Sequence, residues 1–169
     1  QRERTQPVER RKTLKTPTGK FHLSFYPEGG DLVNGITSQI AFKAFDEEGG
    51  SAQNVVGKVY RKSNNQVVAE FNTQHDGMGI FTLTPKEGEK YVALLTQGKN
   101  QYEFDLPQSQ VQGYTLQINN YPTSRLVVTI HKSPSLKADT LGFTASCRGQ
   151  VYASQLVITT DSTGAQFFI

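Results

Sequence analysis

The sequence predicts an all-β protein made of consecutive antiparallel β-sandwiches, and three observations carry that prediction. Apolar residues recur at every second position from residue 20 onward, the period of a strand with one buried face. Clusters of Gly, Pro, Asn and Asp punctuate these runs at the short spacing found in sandwiches. No window of helical length carries a 3.6-residue apolar period with caps at its ends.

The first alternating run is Phe21, Leu23 and Phe25, closed by the corner Pro27-Glu28-Gly29-Gly30. Ile40, Phe42 and Ala44 form the second, which ends in the acidic-glycine turn Asp46-Glu47-Glu48-Gly49-Gly50. Val55 to Tyr60 follow, and Asn64-Asn65 suits a hairpin turn that needs positive φ. Val67, Ala69 and Phe71 form the returning strand, and His75-Asp76-Gly77-Met78-Gly79 turns the chain again. Phe81 and Leu83 then run to Pro85, Tyr91, Ala93 and Leu95 alternate, and Tyr102 and Phe104 finish before Leu106-Pro107. That makes seven or eight short strands.

At the first corner Pro27 presets a turn, while Gly29 and Gly30 supply conformations that a Cβ would forbid. At the second, Gly77 and Gly79 are expected to flank Met78 so that it points into the core. Pro27, Glu28, Gly29, Gly30, Gly77, Met78 and Gly79 are thus predicted to form a structural turn motif.

A new series begins after Leu106-Pro107. It comprises Tyr114, Leu116 and Ile118, then Leu126, Val128 and Ile130, then Leu141, Phe143 and Ala145. Val151-Tyr152, Leu156-Val157-Ile158 and Phe167-Phe168-Ile169 complete it. Five or six strands fall short of a whole sandwich, so the expected organisation is a flexible linker over 1–19, a sandwich over 20–106 and a second, truncated one over 107–169. A start on Gln, a single Met and a final apolar run predict a piece of a longer protein. In that case the second unit exposes an open edge or borrows a strand.

A hydrophobic content of 36%, with ten Phe and seven Tyr, is enough for packed cores. No apolar run reaches the roughly 18 residues of a membrane span, so direct membrane insertion is not expected. The basic balance is confined to one place. Residues 1–20 hold seven Lys or Arg against two Glu, whereas the remainder has a net charge of −2. A basic tail with Pro7 and Pro17 and few apolar side chains reads as a linker, and nucleic acid is not an expected partner. Cys147 stands alone, so no intrachain disulfide can form; that suits the cytosol and equally envelope proteins that avoid cysteine.

Candidate chemistry is sparse. His22, His75 and His131 lie far apart, and His75-Asp76 reads as a turn whose carboxylate caps backbone N–H groups. Asp46-Glu47-Glu48 lacks the alternate-position ligands of a calcium loop. Cys147 and Gln150 have the separation of an internal thioester, but Arg148-Gly149 departs from the Cys-Gly-Glu-Gln motif. Neither a Gly-x-Ser-x-Gly elbow nor a phosphate-binding loop is present. No catalytic residue, metal site or cofactor is therefore expected. Tyr26, Tyr60, Tyr102 and Tyr121 could build a sugar-binding platform, although tyrosines at strand ends more often pack against loops.

The ordered series Phe25-Tyr26-Pro27-Glu28-Gly29-Gly30, Ile40-Ala41-Phe42-Lys43-Ala44, Asn64-Asn65 and His75-Asp76-Gly77-Met78-Gly79 carries a family resemblance. Phe81, Pro85, Gly88 and Tyr91 extend it. Residues 20–105 resemble the macroglobulin-type immunoglobulin-like domains of bacterial cell-envelope proteins related to alpha-2-macroglobulin. Gly113-Tyr114 and residues 147–152 are similar to the domain that usually follows. The resemblance implies tandem immunoglobulin-like β-sandwiches acting as a non-catalytic structural and interaction module of a larger envelope protein. It places the chain in the periplasm, at the outer membrane or on the cell surface. The implied partners are neighbouring domains of the same polypeptide and another envelope protein. The rival readings are a glycan-binding module resting on the tyrosines and an accessory region of a secreted hydrolase.

Overall fold

A computed structural model describes residues 21–97, 100–121, 125–159 and 164–168. The first seven strands are β1 (His22–Pro27), β2 (Ser38–Phe45), β3 (Val56–Arg61), β4 (Gln66–Asn72), β5 (Met78–Leu83), β6 (Tyr91–Gln97) and β7 (Asn100–Asp105). They form two antiparallel sheets, β1-β2-β5 and β4-β3-β6-β7. This is an immunoglobulin-like sandwich in which the fourth strand joins the sheet of the third, sixth and seventh. The described chain contains no helix.

Register follows the alternation of the sequence. Phe25 lies opposite Phe42, Ile40 opposite Phe81, and Val59 between Ala69 and Ala93. Their side chains meet in one core with Phe71, Leu83, Tyr91, Leu95 and Leu106. The ring of Phe71 joins the two layers, with its centroid 5.0 Å from Phe42 and 5.8 Å from Phe81. Full burial of each such ring contributes about 1.5–3 kcal/mol, and edge-to-face contacts add roughly 0.5–1.5 kcal/mol.

Two glycines make room for these rings. A Cβ on Gly57 would lie 2.2 Å from the Phe71 ring, and one on Gly79 would lie 2.6 Å from the Phe42 ring. Gly79 is opposite Phe42 in the β2–β5 ladder, and Gly57 is opposite Phe71 in the β3–β4 ladder. In both pairs the aromatic side chain covers the backbone that its partner leaves bare.

The second series gives β8 (Tyr114–Tyr121), β9 (Arg125–Lys132), β10 (Thr140–Cys147), β11 (Gln150–Ile158) and β12 (Gly164–Phe168). These form the sheet β12-β9-β8 and the hairpin β10–β11. With sheets of three and two strands, the second sandwich is incomplete among the described residues. Val127, Val128 and Ile130 of β9 are buried, as is Val157 of β11. The hairpin is far more open. Leu156 is 77% exposed and Ile158 is 71% exposed. The expected linker, residues 1–19, lies outside the described residues.

Candidate functional site

Residues 27–36 and 106–118 meet at a joint between the two sandwiches. The corner Pro27-Glu28-Gly29-Gly30 closes β1, with Gly30 N–H donating to the Pro27 carbonyl at 3.0 Å. Gly29 is the third residue of this turn, and its φ of +85° is what a type II turn demands there. Pro27 ends an edge strand, where its missing N–H costs the sheet little.

The corner reaches across to β8. Ile118 N–H donates to the Glu28 carboxylate at 2.9 Å. A Cβ on Gly29 would lie 2.5 Å from the Leu116 amide nitrogen and 3.0 Å from its carbonyl oxygen. Only glycine lets the two backbones approach this closely.

A second set of contacts lies a few residues further along. Val33 and Gln110 form a parallel bridge. Gln110 N–H donates to the Leu32 carbonyl at 2.7 Å, and Asn34 N–H donates to the Gln110 carbonyl at 3.0 Å. Ser109 Oγ donates to Asn34 Oδ1 at 2.7 Å. Leu32 and Val33 are each 1% exposed, so this segment is anchored from below. Gly113 sits over the Val33 side chain and exchanges hydrogen bonds with Ser133 through its N–H and its carbonyl.

The second glycine corner differs from expectation. Met78 does not enter the core; it is 44% exposed on the outer face of β5. Phe81 and Leu83 face inward, so a period of two puts residue 79 inside and residue 78 outside. What enters from this corner is the bare backbone of Gly79 beneath Phe42. Gly77 holds the turn with a φ of +74°, and its carbonyl oxygen accepts a hydrogen bond from the Ala44 N–H at 2.8 Å.

The polar residues singled out from the sequence have structural partners. Asp46 Oδ1 accepts from the N–H groups of Glu48 (3.1 Å) and Gly50 (2.7 Å), which caps the acidic-glycine turn. Asn64 Oδ1 accepts from Gln66 N–H at 3.0 Å, and Asn65 takes the positive φ of the hairpin. The Asp76 carboxylate lies 3.3 Å from the Lys43 ammonium. Cys147 and Gln150 are the closing pair of a two-residue turn in which Arg148 and Gly149 both have positive φ. No three His, Cys, Asp or Glu side chains converge at metal-binding range among the described residues.

The tyrosines do not share a surface. Tyr26 projects from the outer face of β1-β2-β5, opposite Ala41. Tyr102 packs edge-on against Phe21 at 5.2 Å on the inner side of β7. Tyr60 lies on β3 with the opposite parity to buried Val59. Tyr121 lies at the end of β8, and its side chain is outside the described residues. Beside Tyr26 there is a shallow depression of about 320 Å³ lined by Ala41, Lys43, His75, Met78 and Ile80. Neither the joint nor this depression was legible as a site, because both depend on which strands become neighbours.

Fold and joint together define a tandem β-sandwich protein. No family model matches the chain, and neither does any curated protein. Among solved structures it is similar to "Structure of the S-layer protein SbsC, domains 5-6", at 9% identity and a TM-score of 0.36. That similarity covers 88% of this chain and 95% of the other. None of these comparisons bears on the macroglobulin-type resemblance, which rests on the sequence series from Phe25 to Tyr91 alone.

Proposed function

We propose that this chain is a non-catalytic structural and interaction module of a larger bacterial cell-envelope protein, similar to macroglobulin-type domains. Its task is mechanical: two sandwiches, parted near Leu106-Pro107, hold a set distance and orientation between whatever lies on either side. The joint carries this reading. A carboxylate, a glycine and a parallel bridge tie the first sandwich to the start of the second at separate points. An interface of this kind restrains domain motion that a bare linker would leave free. Further support comes from the motif residues, whose polar groups serve turns, caps and the joint. Partners are neighbouring domains of the same polypeptide and another envelope protein meeting the sheet edges or end loops.

Pulsed electron-spin distances between a label on exposed Cys147 and one on Lys58→Cys test the proposal. A single narrow distance distribution is expected, broadening when Gly29→Val is added. A broad distribution in the parent chain would overturn the spacer reading.

A further inference from the structure

A pull on the two ends of this polypeptide runs lengthwise through the first sandwich. Phe21, just before β1, packs edge-on against Tyr102 in the first half of β7. Beyond the other ends of these strands the two segments meet again, where Val33 forms its parallel bridge with Gln110. β1 and β7 therefore run in the same direction in opposite sheets. The chain enters the sandwich at one end and leaves it at the other, a six-residue strand or roughly 20 Å away. The joint sits at the exit. Tension along this axis draws the second sandwich off the first.

Two paths carry that tension across. One is the covalent chain between Leu106, whose N–H donates to the Tyr91 carbonyl at 3.1 Å, and Gly113, held by Ser133. Residues 107–112 lie between them and are kept short because Ser109 and Gln110 are bonded to Leu32 and Asn34. The other path is the joint itself, which takes the load while those bonds last. It is the weaker structure. The first sandwich is held by six-pair ladders, β1–β2 and β6–β7, over one apolar core. Antiparallel ladder bonds stand perpendicular to the strands, so a lengthwise pull strains them together instead of one by one. The joint has the exposed Glu28–Ile118 bond and three bonds around Ser109 and Gln110. Among the described residues the main core cluster goes no further than Leu106, and the strands that pack extensively on one another share a sandwich.

We infer that the joint is a latch released by tension. Under light load it locks the two sandwiches together. Under heavier load the bonds of Glu28, Ser109 and Gln110 part, and residues 107–112 straighten while both sandwiches stay folded. From Leu106 to Gly113 the straightened chain spans at most about 25 Å, which bounds the length released. Closure follows when the load falls, because so short a tether keeps the two surfaces at high effective concentration. The inference rests on the spacer reading and deepens it: the spacing is fixed up to a threshold of force and then lengthens in one step.

The test is stretching of the full chain in optical tweezers, with handles at its two termini. A reversible step no longer than about 25 Å is expected at a force below that of any unfolding event. At a fixed load within that step, Glu28→Ala should raise the ratio of open to closed chains about five-fold. Gly29→Val should abolish the closed state, and Gly30→Ala should leave the ratio where it is. A first event on the order of 250 Å, the length set free when the first sandwich unfolds, would overturn the latch and leave the spacer proposal standing. A short step that neither Glu28→Ala nor Gly29→Val alters would overturn it too, because something other than the joint would be yielding. A chain already open at vanishing load would overturn the spacer reading and the latch with it.

Discussion

Glu28 and Ile118, 90 residues apart, are joined by a hydrogen bond from the Ile118 amide to the Glu28 carboxylate. The bond turns a surface corner of one sandwich into a fixture for the other. It is exposed, so water can replace either partner, and its net worth is about 0.5–1.5 kcal/mol. Glu28→Ala is expected to leave both sandwiches folded and to loosen the joint. Residual dipolar couplings of β1–β7 and β8–β12 would then require separate alignment tensors, whereas the parent chain fits one.

Gly29 and Gly30 make a controlled comparison. Both have positive φ, so replacing either by Ala costs roughly 1–3 kcal/mol of backbone strain. Only at Gly29 does the added Cβ strike another sandwich, because nothing lies within 4 Å of a Cβ on Gly30. Gly29→Ala should therefore change the scattering profile of the whole chain, while Gly30→Ala should lower the melting temperature without changing that profile.

The Gly79 and Met78 positions should respond in opposite ways to mutation. Gly79→Ala drives a Cβ to 2.3 Å from the Asn72 carbonyl oxygen and into the Phe42 ring. The expected loss is roughly 1–3 kcal/mol, as in an overpacked core. Met78→Ala, on the exposed face, should stay within about 0.5 kcal/mol of the parent. Urea unfolding of the two variants checks both.

Lys58 and Glu70 face each other across β3 and β4 at 3.0 Å. The hydrogen bond and negative charge of Glu70 hold the Lys58 amine above its ordinary 10.5. A raised pKa in the folded chain adds stability that is complete below 10.5 and is lost as pH rises through the folded value. Both side chains are exposed, so the contribution is small and screened by salt. Glu70→Gln should be slightly less stable than the parent at neutral pH. The difference should vanish in strong alkali or in molar salt.

The strands were legible because each sheet buries one face, which writes itself into the sequence as every second residue. Phe21, Ile40, Phe81 and Ala93 all fall on the buried side that their parity assigns. The hairpin turns were equally plain, since Asn65 and Gly77 mark positions where φ must be positive. Met78 misled because a large apolar residue between two glycines invites burial; the parity of Phe81 and Leu83 already ruled otherwise. The joint left no such trace. A glutamate in a turn reads as solvated whether or not a distant amide meets it, and a glycine that a turn requires hides a second duty against Leu116.

The bridge at Gln110 sets how much slack the polypeptide keeps between its two halves. Leu106-Pro107 reads in the sequence as a boundary between two units, yet past it the chain stays fastened to the first half through Gln110. Only Val111, Gln112 and Gly113 then separate it from β8, and Gly113 is itself held by Ser133. Beads on a string swing freely only when there is string between them, and here almost none has been left out.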